Sequence, residues 1–329
     1  MSQPTHTADP PPADVSVAGF ADAVLREVGN AVMGIHEPLE LLLVGMLARG
    51  HVLVEDVPGT GKTSAVRAVA RATGLEFGRV QCTPDLLPTE VTGVNIYDQT
   101  TGAFRFRPGP VFRSLLLVDE INRATPRTQS ALLEAMAERQ VTVDGSSHGL
   151  DDTFTVIATQ NPIEQAGTFP LPEAQLDRFL LRLSFGYPDR EAHRSILRSQ
   201  RGADPHGDVA RVVDGPALLP RLWEEVGRVH VDDRLEDYAL QLVEVLRSHD
   251  DVAVGPSVRA VLMLEQAARA LAATRGRDHV LPDDIKRLAA PLLSHRLVLQ
   301  EAAGVHGQEP ASLVSEALAS LEVPMQLRS

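Results

Sequence analysis

The chain has 329 residues, enough for two domains, and its hydrophobic fraction of 43% suffices for a sizeable core. A formal net charge of -13 at pH 7 argues against broad, non-specific affinity for nucleic acid, which comes from Lys and Arg neutralising phosphates. Cys82 is the single cysteine, so an intramolecular disulfide and a cysteine-based zinc cluster are excluded.

The 11 His residues show no metal-ligand spacing. Neither a signal peptide nor an apolar run long enough to cross a bilayer is apparent, and the expectation is a cytoplasmic chain. Residues 1–14 (MSQPTHTADPPPAD) are proline-rich and polar and read as a disordered tail. From Val17 to Gly29 apolar residues recur at helical spacing, and NAVMGIHEPLELLLVGMLARG supplies a second helix leading into a first strand. The corner Val32-Met33-Gly34 suits either a flat adenine ring or a plain turn between helices.

Residues 54–63, VEDVPGTGKT, then read as the end of a buried strand, a glycine turn and a helix start. Glycine permits close backbone approach, so amides near Gly59, Gly61, Lys62 and Thr63 can point at a phosphate. Lys62 would reach the β- and γ-phosphates and the Thr63 hydroxyl would bind Mg2+. The expected nucleotide-binding set is Asp56, Val57, Pro58, Gly59, Thr60, Gly61, Lys62, Thr63 and Ser64, with Gly34 from the corner. The pattern G-x-x-x-x-G-K-[ST] asks for glycine at position 56, where this chain has Asp56; the strand-like HVLVE before the loop and the helical SAVRAVARATG after it keep the context intact.

Two short strands follow, LEFGRVQC and SLLLVDE, and a further one is TFTVIATQN. Apolar runs separated by helices signal a parallel sheet covered on both faces, and such sheets bind ligands at the carboxyl ends of their strands. Asp119 is placed to hold Mg2+ and Glu120 to polarise a water, although an acidic pair can also merely solvate a strand end. Asn161 can bond the γ-phosphate or orient the attacking water. Arg178, in LPEAQLDRF, carries a permanently charged fork suited to a transferring phosphoryl group.

Two segments read as hairpins. VNIYDQTTGAFRFRPG has Phe104 and Phe106 on one face and Arg105 and Arg107 on the other, and RQVTVDGSSHGLDDTFTV turns near Asp144 to Gly149. The phenylalanines either anchor the hairpin or serve a neighbour. After Tyr187-Pro188-Asp189-Arg190 the pattern becomes helical. DRLEDYALQLVEVLR puts Leu235, Tyr238, Ala239, Leu242, Val243 and Leu246 on one face, and SVRAVLMLEQAARALAATRG runs from a Ser257 cap to a Gly276 stop, with Arg259 in its first turn. ASLVSEALASLEV is a weak helix that completes the helical part or meets a neighbour.

The ordered blocks VEDVPGTGKT, DLLPTEVTG, FRFRPGPVF, LLLVDEINRATPRTQSALLEAMAERQVTV, ATQNPIEQAGTFPLPEAQLDRF and GPSVRA resemble the MoxR family of AAA+ ATPases from about residue 20 to 300. The resemblance implies an α/β P-loop core with β-hairpin inserts at 15–190, a linker at 191–220 and an α-helical lid at 221–329. It implies ATP and Mg2+ as cofactors, Lys62, Glu120, Asn161 and Arg178 as catalytic residues, Thr63 and Asp119 as metal ligands, and Arg259 as a lid sensor. It also implies a homo-oligomeric ring, expected to be a hexamer, with Arg178 supplied to the next subunit, a von Willebrand factor A domain partner and a protein client. The motor subunit of a metal chelatase and a non-catalytic scaffold are the alternatives; a nucleic-acid translocase conflicts with the acidic balance.

Overall fold

The computed structural model describes residues 15–57, 60–162, 167–186, 209–305 and 307–324. The N-terminal tail, Pro58, Gly59 and the stretch 187–208 lie outside the described residues.

Helix α1 (Val17–Ala31) starts where the Ser16 hydroxyl accepts from the Gly19 amide, and it buries Val17, Phe20, Val24 and Val28. The second helix does not begin at Asn30: α1 runs on to Ala31, and α2 (His36–Leu47) starts only after a corner in which Gly34 takes φ 79°. That left-handed backbone is open to glycine at little cost and breaks the helical run. Nearly all of α2 from Leu39 onward is buried, because it lies between the sheet and the later helices.

The core then alternates: β1 (Val52–Glu55), α3 (Lys62–Thr73), β2 (Phe77–Gln81), α4 (Pro88–Thr92), the hairpin β3 (Gly93–Asp98) and β4 (Ala103–Pro108), β5 (Leu115–Asp119), α5 (Pro126–Glu138), the hairpin β6 (Gln140–Val143) and β7 (Ser146–Gly149), β8 (Thr155–Gln160), α6 (Glu173–Leu176) and β9 (Leu181–Leu183). Five strands form one parallel sheet in the order β2-β5-β8-β1-β9. Alternate residues serve opposite faces. Val52, Val54, Leu115, Leu117 and Ile157 join α1, α2 and α3 in one apolar cluster, while Leu53, Leu116, Val118, Val156 and Ala158 join α5 in another. The turn of the second hairpin is Asp144-Gly145, both left-handed, tighter than the expected span to Gly149.

The helical part comprises α7 (Gly215–Gly227), α8 (Asp233–Ser248), β10 (Val252–Val254), α9 (Val258–Thr274), α10 (Pro282–Leu293), β11 (Val298–Leu299), α11 (Glu301–Val305) and α12 (Pro310–Ser320). The expected linker at 191–220 is shorter at its described end: Val209 and Val213 are buried, the Val212 amide bonds the Ala72 carbonyl, and α7 begins at Gly215. Valines there dock against the end of α3 instead of staying in solvent. Helix α8 buries Leu235, Tyr238, Ala239, Leu242, Val243 and Leu246, the face its periodicity calls for. Helix α12 buries Leu313, Val314 and Ala317 against α8 and α10, so it completes the lid.

Lid and core share the first apolar cluster. Glu40 of α2 adds ion pairs to Arg287 at 2.6 Å and Arg275 at 3.5 Å in the lid. Among the described residues no helix is long and apolar enough to cross a membrane.

Candidate active site

The phosphate-loop region follows from the way β1 gives way to α3. Gly61 takes φ 82° at the head of α3, and no side chain caps that helix among the described residues. Its first amides and the helix dipole therefore face the loop, the arrangement that suits an anion. The buried Thr60 hydroxyl likewise has no hydrogen-bond partner among the described residues. A Cβ placed on Gly61 would lie 4.0 Å from Val32 Cγ1, so the corner carrying Gly34 sits beside the loop.

Lys62 Nζ donates to the carbonyls of Asp56 at 2.9 Å and Val57 at 3.1 Å. Burial pushes the ammonium pKa down, and the negative charges of Asp56, Asp119 and Glu120 oppose that shift. Thr63 and Ser64 stand half-buried in the first turn of α3.

Asp56, the departure from the general pattern, is occupied elsewhere by its side chain. Its carboxylate accepts from Ser184 Oγ at 2.8 Å, the Phe185 amide at 2.6 Å and the Gly186 amide at 3.2 Å. The backbone of Asp56 faces the loop, with its amide on the Gln160 carbonyl and its carbonyl on Lys62. A carboxylate thus replaces glycine in order to pin the loop to the chain leaving β9.

The acidic pair closes the end of β5. Asp119 is buried and accepts from Arg79 Nε at 2.7 Å and from Thr159 Oγ1 at 3.3 Å. Glu120 takes φ 56° and ψ 52°, a left-handed conformation costing a non-glycine residue about 1 kcal/mol. Two contacts hold it there: its amide donates to Thr159 Oγ1 at 2.9 Å, and its carboxylate accepts from Arg123 at 3.1 Å. No motif points to Thr159. It lies two residues before Asn161 on a strand of period two, and that spacing is the available signal. Asn161 follows β8, half-buried. Cys82 lies behind this pair, and burial, then Asp119 and Glu120, push its thiol up to about 12.

The structure brings Gly34, Asp56, Val57, Thr60, Gly61, Lys62, Thr63, Asp119, Glu120 and Asn161 to one end of the sheet. It does not bring Arg178 there: the Arg178 guanidinium donates to the Leu133 carbonyl of α5. Arg259 is exposed in the first turn of α9. An amphipathic hairpin stands apart from both. Phe106 stacks on His148 with centroids 3.9 Å apart and meets Phe112 edge-on, whereas Phe104 touches Tyr97 and stays 73% exposed.

The family described as "ATPase family associated with various cellular activities (AAA)" matches residues 51–181, and the AAA lid domain matches residues 244–317. A P-loop head on α3, an acidic pair ending β5 and a helical lid make the chain an AAA+ ATPase, a class whose membership implies nucleotide binding and hydrolysis. Chaperone MoxR1 of Mycobacterium tuberculosis is 40% identical over 98% of this chain and 88% of its own length. Protein YeaC of Bacillus subtilis, uncharacterised, is 45% identical over 92% and 94%. A crystal structure of an ATPase candidate from Cytophaga hutchinsonii superimposes with a TM-score of 0.87 at 37% identity, covering 94% of this chain and 96% of that one. Within the class, the chain belongs to the MoxR family.

Proposed function

We propose that this chain hydrolyses ATP at the interfaces of a homo-oligomeric ring, a hexamer, and spends each cycle remodelling or activating a protein client. What supports the reading is that β1, β5 and β8 end side by side in a parallel sheet, carrying Lys62, the acidic pair and Asn161 to one place. The head of α3 and the Thr60 hydroxyl, neither of which has a side-chain partner among the described residues, fit a chain of phosphates together with Lys62. Thr63 and Asp119 offer Mg2+ a hydroxyl and a carboxylate, and phosphate and water oxygens suit the remaining positions of a hard cation.

In this scheme Lys62 exchanges its carbonyl partners for phosphate oxygens. Bound Mg2+ would neutralise charge on the phosphates. Glu120 accepts a proton from the attacking water, with its backbone held by Thr159, and Asn161 orients that water. Arg178 serves the site of the next subunit, and Arg259 lets the lid follow the nucleotide. The pair of hairpins and the lid surface then carry the motion to a client through a von Willebrand factor A domain partner.

The test uses Glu120→Gln, expected to bind ATP and hold the ring without turnover. Sedimentation with ATP should give a hexamer, and native extract passed over this variant should yield partners that Lys62→Ala does not retain. Recovery of a von Willebrand factor A protein supports the chaperone reading. Wild-type turnover by Glu120→Gln sinks the catalytic assignment, and tetrapyrrole enzymes among the partners would move the assignment to a chelatase motor.

A further inference from the structure

Arg296 lies in the turn after α10, and its side chain is only 2% exposed. Its Nε donates to Asp177 Oδ1 at 2.7 Å. One terminal nitrogen donates to the carbonyls of Asp177 at 3.2 Å and Phe179 at 2.7 Å; the other donates to the carbonyls of Leu180 at 3.4 Å and Leu292. Asp177, Phe179 and Leu180 flank Arg178 on both sides. A buried guanidinium from the lid therefore grips the backbone on which Arg178 is mounted.

The same side chain also reaches α9. The nitrogen that holds Phe179 lies 3.0 Å from Met263 Sδ, and Met263 stands one helical turn beyond Arg259 on the same face. Arg259 is close enough that its charge adds to the burial that lowers the Arg296 pKa, while Asp177 opposes both. Filling space does not account for this arrangement. A buried ion pair is a poor way to gain stability compared with a well-packed apolar group, and carbonyl acceptors on both sides of one residue serve to fix a backbone path.

We infer that Arg296 is a positioning residue for Arg178. It clamps the segment 177–180 to the lid, so that a lid movement carried by α9 shifts the arginine offered to the neighbouring subunit. This inference rests on the reading of Arg178 as a residue acting across a subunit interface.

The test mixes variant subunits and reads turnover per active site. Arg296→Lys keeps the charge but loses the fork, and turnover should fall about tenfold with nucleotide affinity changed less than about twofold. Glu120→Gln subunits have an intact Arg178 and no turnover of their own. Added in excess to Arg296→Lys, they should restore turnover per Arg296→Lys subunit toward the wild-type value, because each active site then meets a well-placed Arg178. Arg178→Ala mixed with Glu120→Gln is the control, and the double variant Arg296→Lys/Arg178→Ala should be no slower than Arg178→Ala alone.

Rescue of the Arg178→Ala mixture without rescue of the Arg296→Lys mixture overturns the inference and leaves the trans-acting arginine standing. Failure of both mixtures overturns the two together. If Arg296→Lys does not fold, Asp177→Asn, which leaves the backbone acceptors in place, carries the same test with a loss of about threefold, and the same outcomes decide.

Discussion

At the nucleotide end of the sheet, Asp119 and Glu120 lean on Arg79 and Arg123, side chains that are themselves 44% and 40% exposed. Lys62 rests on two loop carbonyls. At the lid junction the charge is enclosed: Arg296 meets a carboxylate, four carbonyls, a sulfur and the His295 ring nitrogen. His51, buried under the sheet, belongs with the second group, since its Nδ1 accepts from the Val156 amide and its Nε2 donates to the Met136 carbonyl. Polar residues of this chain thus fall into two kinds. Groups with replaceable partners can release them for a ligand, whereas groups saturated by backbone hold parts of the chain in register.

The largest expected effect tests the first group. Lys62→Ala should abolish measurable nucleotide binding and lower turnover by at least about a hundredfold, with little change in melting temperature. A matching loss of stability would erase the distinction between the two groups. Next, Arg296→Met removes a saturated cation and takes away the donor shared by the carbonyls of Asp177, Phe179, Leu180 and Leu292, and chemical denaturation should report a loss of about 3 kcal/mol.

The pH dependence of stability sharpens the contrast further. Burial lowers the His51 pKa to about 4 from an ordinary 6.5. The unfolded chain then binds more protons than the folded one between those values, so this residue contributes stability above pH 6.5 that is lost as pH falls toward 4. His295 is pushed down in the same direction by burial and by Arg296. Between pH 7 and 5 the wild type should lose about 2 kcal/mol more than His51→Gln. An identical slope in the two proteins would mean that the fold does not lower the His51 pKa. The smallest effects separate the hairpin phenylalanines. Phe106→Ala, which loses the stack on His148, should cost about 1–2 kcal/mol; Phe104→Ala should cost less than about 0.5 kcal/mol. Equal costs would mean that both rings anchor the hairpin.

Much of the architecture was legible in the chain. The apolar runs of β1, β5 and β8, the glycine turn before Lys62 and the acidic pair after Leu115 to Val118 are local patterns. The buried face of α8 follows from helical spacing alone. Less was legible at the borders of elements: the corner at Gly34 was readable as a turn, but α1 runs past Gly29 to Ala31, and Val209 and Val213 shortened the linker. Of the candidate site, the residues at the strand ends were readable, but Thr159 had no motif to announce it and Asp56 looked like a plain departure from the loop pattern.

The chain's own order of residues determined which segments are strands or helices and which ends carry Lys62, Asp119, Glu120 and Asn161, because those signals act among neighbours a few residues apart. No local pattern announces that Asp56 holds the Phe185 amide across 129 residues or that Arg296 holds Asp177 across 119. An arginine or aspartate reads alike in solvent and in a buried clamp. Packing decides between them by bringing distant carbonyls and amides within reach and excluding the water that would otherwise serve.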